Sequence, residues 1–286
     1  MVFRCTGSFG MEKNKLKLLY WFLTDRNWRK SYLESRHRQS RHNQARREVM
    51  NKIAAGNTAE ILSGPFSRMK YIKSFNKEWF TQKVMGFYEY PLREVVEYIC
   101  DTDYHLIIDI GAAEGYYACG LAYRKPDCRV VCFEADSSKH DAIRKIASMN
   151  NCLNRIKIEG YCDNKTLTQE LAATDGLKLL FLDCEGAEKE LLNPEFILGL
   201  DKCDILVETH DFIVQGVTAC LIERFSTSHE IVVIDNKGMP EALLKLGSQF
   251  GIDYQTLIMA ADELRSPGNG WLWMKTKQVN ALTSSN

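Results

Sequence analysis

Several common signatures are missing from this sequence, and each absence removes a class of protein. The 10 cysteines form no C-x-x-C pair, so neither a zinc ribbon nor a thioredoxin-like redox motif is present. The most apolar N-terminal run, Leu16 to Leu23, is interrupted by Lys17 and is far shorter than the roughly 20 residues that span a bilayer. No small-residue cleavage site accompanies it, so we expect neither a signal peptide nor a transmembrane segment.

The cysteines are instead placed singly, and several lie inside apolar runs. Cys132, in the run Arg-Val-Val-Cys-Phe, shows the pattern, in which a thiol behaves as a small hydrophobic group. This usage suits a reducing compartment, so the sequence predicts a cytoplasmic protein. The composition, 45% hydrophobic and 26% charged over 286 residues, is that of a globular chain that buries a sizeable core without cross-links.

The chain also lacks net charge, because 37 basic residues balance 37 acidic ones. The balance conceals an asymmetry. Residues 1–52 carry 13 basic and 4 acidic side chains, a net of +9, and the remainder carries 37 − 13 = 24 basic and 37 − 4 = 33 acidic ones, a net of −9. A basic arm therefore precedes an acidic body, and no nucleic-acid partner is expected.

The arm is predicted to be a helix from about Glu12 to Ile53, with Gly56 as its stop. An apolar stripe runs along its first half, and a mostly basic face follows. We expect this arm to pack on the acidic body or on a partner subunit, which makes a homo-oligomer formed through the arm an expectation of the sequence. The residues of the apolar stripe are Leu16, Leu19, Tyr20, Leu23, Trp28, Tyr32 and Leu33.

The rest of the chain divides into three parts. A hairpin is predicted between Glu60 and Tyr71 around a Gly64-Pro65 turn, and a helix from Pro91 to about Cys100 follows. The predicted units are therefore a basic amphipathic helical arm (1–56), a hairpin and connecting segment (57–90), an α/β domain (91–277) and a disordered tail (278–286).

Beyond Asp103, apolar runs rich in Ile, Val and Leu recur every 23 to 26 residues, with helical patterns between them. Near-continuous apolar strands that alternate with helices predict a doubly wound, mostly parallel sheet covered on both faces. The predicted strands are Leu106–Ile110, Val130–Phe133, Ile156–Ile158, Leu179–Leu182, Ile205–Val207 and Ile231–Ile234, with Trp271–Lys275 as a final candidate.

Ligands of such sheets bind beyond the carboxyl ends of the strands. The first strand ends in Asp109-Ile110-Gly111-Ala112-Ala113-Glu114-Gly115, where two glycines let the backbone approach a ligand closely. The second ends at Glu134, which is placed to bind both hydroxyls of a ribose. Taken singly, the glycine loop could be no more than a tight turn, and Glu134 no more than a solvated acid. Their combination favours an adenosine-containing ligand. The loop is not G-x-G-x-x-G and is not a P-loop.

The fourth and fifth strands carry acids and one histidine to the same edge of the sheet. Asp183 and Glu185 follow the fourth strand, and Glu208 and His210 follow the fifth. A carboxylate directly after an apolar strand is costly unless it lines a cleft or is hydrogen-bonded. Capping of the next helix is the alternative role for Asp183 and Glu185.

These stretches together resemble the FkbM-type S-adenosylmethionine-dependent methyltransferases. The resemblance covers roughly residues 105–275 and rests on Ile108 to Tyr117, Phe133-Glu134, Asp183 to Glu188 and Val207 to His210. Gly86-Phe87-Tyr88-Glu89 also looks like a segment that precedes the domain in some relatives. Ala113 and Ala135 stand where members often carry Asn and Pro. The resemblance implies the class I methyltransferase fold, with seven strands and the last one antiparallel.

The resemblance also implies S-adenosylmethionine as cofactor. The backbone of Gly111, Ala112 and Gly115 would hold its methionine part, Asp109 would orient it, and Glu134 would bind the ribose. Asp163 is expected near the adenine amino group, and Asp183 at the boundary between cofactor and acceptor.

The implied reaction is O-methylation of a hydroxyl on a small-molecule, sugar or polyketide-type acceptor, with N-methylation left open. His210 would take the hydroxyl proton, supported by Asp183, Glu185 and Glu208. The same oxygens suit Mg²⁺, but the sequence favours a metal-free base because it shows no dedicated acidic triplet. An inactive scaffold module and, more weakly, a nicotinamide-dependent dehydrogenase remain the alternatives.

Overall fold

The computed structural model of the chain describes residues 24–53, 58–72, 79–234, 242–264 and 269–277. The predicted stripe residues from Leu16 to Leu23, the helix stop at Gly56 and the predicted tail (278–286) lie outside the described residues. The side chain of Trp28 is not described either.

The described residues contain nine β-strands, seven of which form one sheet. The strands are β1 (Thr58–Glu60), β2 (Lys70–Ile72), β3 (Leu106–Ile110), β4 (Arg129–Phe133), β5 (Ile156–Glu159), β6 (Lys178–Leu182), β7 (Cys203–His210), β8 (His229–Ile234) and β9 (Asn269–Thr276). The sheet has the order β5-β4-β3-β6-β7-β9-β8, and β1 pairs with β2 in an antiparallel hairpin.

Ten α-helices are present in the same residues. They are α1 (Arg26–Ile53), α2 (Phe80–Met85), α3 (Arg93–Asp101), α4 (Tyr116–Arg124), α5 (His140–Met149), α6 (Asn164–Ala172), α7 (Glu188–Leu191), α8 (Val217–Phe225), α9 (Ala242–Phe250) and α10 (Tyr254–Ala261). None of these helices is long and apolar enough to cross a membrane.

The predicted doubly wound sheet is confirmed. Strands β3 to β7 run parallel, and Ile108 of β3 lies between Val131 of β4 and Leu180 of β6. The last strand, β9, runs antiparallel to both β7 and β8, as expected for the class I methyltransferase fold. The order reverses between β3 and β6, because the chain adds β4 and β5 on one side of β3 and then crosses to the other.

Helices cover both faces of the sheet. Successive side chains of a strand point to opposite faces, and in the central strands both sets are mostly apolar, so both faces have to be buried. Ile107 packs with α3, α4 and α5 on one face, whereas Leu106 and Ile108 pack with α6, α7 and α8 on the other. The edge strand β8 differs from the prediction, since Val232 and Val233 are about half exposed (54% and 51%). An edge strand has a neighbour on one side only, and its apolar run is not fully covered here.

Within the described residues, the arm packs on the body through the second half of α1. Tyr32 and Leu33 of the predicted stripe are exposed (37% and 41%), whereas Ala45 and Val49 are buried in a cluster with α9 and α10. His42 Nε2 lies 2.9 Å from Asp262 Oδ2, and the adjacent turn adds an Arg46 hydrogen bond to the Asp262 carbonyl at 2.7 Å. The sequence analysis placed the packing surface in the apolar stripe and did not predict this contact, because Ala45 and Val49 lie beyond the stripe, among the basic residues.

Candidate functional site

An open cleft of about 310 Å³ lies at the carboxyl ends of β3, β4, β5 and β6, next to the point where the strand order reverses. This is where parallel sheets bind ligands, and the volume is that of a small-molecule site. The predicted site residues that line the cleft are Gly111, Glu134, Asp183 and Glu185, joined by Ala113, Lys139 and Tyr161.

The loop after β3 forms one wall. Gly111 has φ +89°, and a Cβ there would lie 1.8 Å from the carbonyl oxygen of Asp183, so only glycine fits. Ala113 also adopts the left-handed region, with φ +47°. Gly115 (φ +90°) is the N-cap of α4. Both Gly115 and Ala112 are buried, and neither lines the cleft. Any contact of these two residues with a ligand therefore remains a prediction.

Glu134 is held in the cleft wall by the protein backbone. Its Oε2 accepts a hydrogen bond from the Ala113 N–H at 2.7 Å, and its Oε1 accepts one from the Asp136 N–H at 2.8 Å. Lys139 Nζ lies 3.4 Å from Oε1. Because each carboxylate oxygen has two lone pairs, the group retains the capacity to accept from a ligand hydroxyl.

Asp109 lies within β3 and does not line the cleft. It is 2% exposed, and its Oδ2 atom has no hydrogen-bond partner. Burial raises the pKa of Asp109 to about 7, and the charges of Glu134 and Glu89 contribute to the shift against a backbone hydrogen bond from Ala118. An unsatisfied carboxyl oxygen next to the loop is compatible with an orienting role, directly or through water.

Asp163 has a local structural task. Its Oδ1 accepts from the Thr166 N–H at 2.7 Å, which completes a capping box at the start of α6. The side chain is exposed, and Asp163 is not part of the cleft wall, although Gly160 to Cys162 are. An additional contact with an adenine ring remains a prediction.

The four predicted catalytic residues converge. Nε2 of His210 lies 3.5 Å from Asp183 Oδ1, 3.7 Å from Glu208 Oε2 and 3.8 Å from Glu185 Oε2. His210 and Glu208 are buried within β7, whereas Asp183 and Glu185 face the cleft. The alternative role of Asp183 and Glu185, capping of the next helix, is not seen. The N-cap of α7 is Ala187, and no side chain makes a capping hydrogen bond there.

A fifth member of this group, Glu188, was part of the recognised motif but had no predicted role. Its Oε1 accepts a hydrogen bond from His210 Nδ1 at 2.6 Å and another from the Gly186 N–H at 3.0 Å. Burial opposes ionisation of Glu188, but these hydrogen bonds lower its pKa below the usual range. Asp211, which follows His210 in sequence, instead accepts from Thr218 Oγ1 at 2.5 Å.

The cluster shifts the pKa values of its members. Burial favours neutral His210, but the Glu188 hydrogen bond and the charge of Glu208 raise the His210 pKa above its ordinary value. Loss of solvent contact raises the pKa of Asp183 well above its usual range, and the carboxylates of Glu208 and Glu89 add to the shift. The protonation of Asp183 or His210 therefore depends on the charge of its neighbours.

Glu89, in the segment before the sheet, is the residue that the sequence analysis missed. It is 3% exposed, has φ +46°, and accepts a hydrogen bond from Tyr117 Oη at 2.5 Å. Carboxylate oxygens of Glu89, Asp183 and Glu208 lie within 4.8 Å of one another, as do ligand atoms of Asp183, Glu185 and His210. Three carboxylates therefore come together at this edge of the sheet, a grouping that the sequence analysis did not foresee, and the metal-free base stays a prediction.

No protein-family model matches the chain, and no curated protein matches it either. Solved structures do. An O-methyltransferase from Bacillus cereus in complex with SAH is 17% identical, with a TM-score of 0.43 over 65% of this chain and 79% of that one. The O-methyltransferase TomG from Streptomyces achromogenes in complex with SAM is 15% identical, with a TM-score of 0.40 over 60% and 74%. An rRNA methylase from Streptococcus thermophilus is 11% identical, with a TM-score of 0.45 over 66% and 97%. These values assign neither a reaction nor a substrate to this chain.

Proposed function

We propose that the chain is an S-adenosylmethionine-dependent methyltransferase of the FkbM type that methylates a hydroxyl of a small-molecule acceptor. One observation carries the proposal: a single cleft joins the Gly111 loop and Glu134 to the cluster of Asp183, Glu185 and His210. The first pair suits a nucleoside ligand, and the second suits a proton transfer, so the cofactor and the acceptor would meet at Asp183.

The cofactor supplies a methyl group on a positively charged sulfur. The residues present fit it: Gly111 and Ala113 bring backbone to the cleft wall, and Glu134 offers a carboxylate that the backbone has already oriented. Two of the similar solved structures hold SAH or SAM. The proposal gives this chain the same cofactor on the grounds of its own cleft.

On the acceptor side, the substrate oxygen attacks the methyl carbon, the carbon–sulfur bond breaks, and its electron pair stays on sulfur. The hydroxyl proton passes to the Asp183 carboxylate, which faces the cleft, and is shared with His210 Nε2 at 3.5 Å. A raised Asp183 pKa makes this carboxylate a better base than an ordinary one. The protein otherwise contributes alignment, because the displacement is a single step.

A dehydrogenase is the weakest alternative, since the chain has no G-x-G-x-x-G turn. Tyr161 and Lys165 do share the Tyr-x-x-x-Lys spacing of some dehydrogenases, but both side chains are exposed beyond β5, and strands β4 and β3 separate them from β6. A scaffold role is less favoured because it offers no reason to keep Glu188, Glu208 and His210 buried together at one edge of the sheet.

Calorimetry with SAH and a labelled methyl-transfer screen test the proposal. Wild type should bind SAH, and Glu134→Ala should weaken binding by about 1–3 kcal/mol, the scale of hydrogen bonds to a charged group. Glu159→Ala, which removes a more exposed acid at the end of β5, is the matched control. Label should reach sugar or phenol pools rather than amine pools. Absence of both SAH binding and a gain in heat stability would instead support the scaffold.

A further inference from the structure

Glu114 lies in the loop between Gly111 and Gly115, but its side chain points away from the cleft and into the segment before the sheet. It accepts a hydrogen bond from Tyr71 Oη at 2.6 Å and forms an ion pair with Lys83 Nζ. Tyr71 belongs to β2 and Lys83 to α2, both outside the predicted α/β domain. The loop is thus tied to a part of the chain that the sequence treats as a connector.

The ion pair of Lys83 and Glu114 is shielded from solvent. The Lys83 and Glu114 side chains are 5% and 8% exposed. The Lys83 ammonium also lies 4.5 Å from the ring centre of Tyr88 and 5.4 Å from that of Tyr116, which begins α4. Burial alone would raise the pKa of Glu114, but Lys83 and Tyr71 lower it, so the carboxylate is ionised. A buried pair of this kind fixes relative position strongly, whatever its net contribution to stability.

Ala113, the residue before Glu114, connects this ion pair to the cleft. Ala113, which lines the cleft with a left-handed φ of +47°, donates its N–H to the Glu134 carboxylate. Glu134 therefore holds the loop from the β4 side, and Lys83 with Tyr71 holds it one residue later from the opposite side. An alanine in a strained conformation persists where the residues around it determine its position.

We propose that Tyr71, Lys83 and Glu114 form a positioning network through which the segment before the sheet keeps the Gly111–Gly115 loop in its cofactor-binding conformation. The inference rests on the proposed function for the identity of the ligand. It assigns roles to residues that do not touch the cleft, and it makes the predicted connecting segment part of the binding site.

The test compares three variants of the full chain. Lys83→Met leaves Glu114 buried without its cation. A triple variant (Tyr71→Phe, Lys83→Met, Glu114→Leu) replaces the whole network with apolar groups. Val84→Ala, at the next position of α2, is the control, because it removes buried volume but neither a charge nor a hydrogen bond of the group formed by Tyr71, Lys83 and Glu114. Melting temperature, the Kd for SAH and hydrogen exchange of a loop peptide covering residues 109–117 are measured for each.

Lys83→Met should raise the Kd for SAH by roughly 2- to 30-fold, the scale of coupling through packed residues, and should speed exchange of the loop amides. The triple variant should recover melting temperature while its SAH binding stays weak, because no buried charge is left unpaired but the loop is untied. Val84→Ala should lower the melting temperature and leave the Kd and loop exchange unchanged.

Two results would overturn the network: tight SAH binding by the triple variant, or an equal loss of SAH binding in Val84→Ala at a comparable melting temperature. If wild type does not bind SAH, the proposed function fails separately. Hydrogen exchange of the loop peptide then tests the network by itself. Unchanged exchange in Lys83→Met and in the triple variant contradicts the network, and faster exchange than in Val84→Ala supports it.

Discussion

Nδ1 of His210 donates a hydrogen bond to Oε1 of Glu188 at 2.6 Å, and both side chains are almost completely buried. Because Glu188 also accepts from the Gly186 N–H, its carboxylate is fixed and acts as an acceptor. The proton on Nδ1 is therefore set by Glu188, and Nε2 is the nitrogen that faces Asp183, Glu185 and Glu208. A buried carboxylate behind an imidazole is a common way to fix its tautomer.

The first prediction concerns this pair. Glu188→Gln removes a charge that raises the His210 pKa, so the pKa should fall as burial becomes the dominant influence. NMR titration of the His210 ring measures the shift directly. Glu190→Gln, an exposed acid on the same short helix, is the control and should leave the titration unchanged. An unaltered His210 titration in Glu188→Gln would mean that Glu188 does not govern the ring.

The second prediction links Asp109 to the pH dependence of stability. Its pKa is about 7 in the folded protein against 3.8 when solvated, so between these values the folded state holds a proton that the unfolded state releases. The contribution of Asp109 to stability therefore falls as pH rises from about 4 to about 7 and is constant above that. The difference in pKa corresponds to about 4 kcal/mol.

Asp109→Asn removes this titration while keeping the shape of the side chain. Measured by urea unfolding without cofactor, the variant should match wild type near pH 4 and exceed it increasingly up to pH 7. Parallel pH profiles for the two proteins would show that Asp109 is ionised, or already satisfied, in the folded state.

The sequence could predict the sheet because its evidence is local and repeated. Each central strand, such as Leu106–Ile110, is a continuous apolar run followed by a helix, and such a run has few other ways to bury both faces. The same reasoning predicts the positions of Gly111, Glu134 and Asp183, since the carboxyl ends of parallel strands lie at one edge of the sheet. The convergence of Glu208 and His210 on Asp183 follows from the adjacency of β6 and β7.

The residues that the sequence could not place depend on contacts between distant segments. Glu89 reaches Asp183 from before the sheet, 94 residues away in the chain (183 − 89), and no periodicity reports that approach. Lys83 and Glu114 look like surface charges in the sequence, although both are buried. For Asp163, the sequence analysis expected a ligand contact, but the structure shows a helix cap. A carboxylate that follows a strand can serve either purpose, and the sequence does not distinguish the two.

The third prediction separates the two halves of the arm. Deletion of residues 1–52 removes Ala45 and Val49 and uncovers the buried cluster around Leu243 and Leu257, so the melting temperature should fall and aggregation should rise. Deletion of residues 1–41 keeps His42, Ala45 and Val49 and should leave the melting temperature close to that of wild type.

Sedimentation of the same two proteins tests the predicted homo-oligomer. A change of mass on deletion of residues 1–41 places self-association in the first half of the arm, where Tyr32 and Leu33 are exposed. If both truncated proteins keep the melting temperature and mass of wild type, the arm is a detachable tail, and its packing on α9 and α10 has no stabilising role.

The last prediction decides how the acceptor hydroxyl is activated. His210 Nε2 and the carboxylates around it either accept a proton or hold a divalent cation, and the oxygens of Asp183 and Glu185 would be ligands in the second case. We expect the proton-accepting role, because Glu188 and Glu208 raise the basicity of His210 and the Asp183 carboxylate lies between it and the cleft. Methyl-transfer rates of wild type and His210→Ala, each with and without EDTA, distinguish the two roles.

In the proton-accepting role, His210→Ala loses roughly two to four orders of magnitude in rate, and EDTA has no effect on wild type. Glu185→Gln is informative beside it, because this side chain is 75% exposed and its replacement does not disturb the core. As a remote charge it should change the rate little, whereas as a metal ligand it should matter as much as His210. Loss of wild-type activity in EDTA, restored by added Mg²⁺ or Mn²⁺, would assign the activation to a metal, because a carboxylate–imidazole pair that only moves a proton does not respond to a chelator.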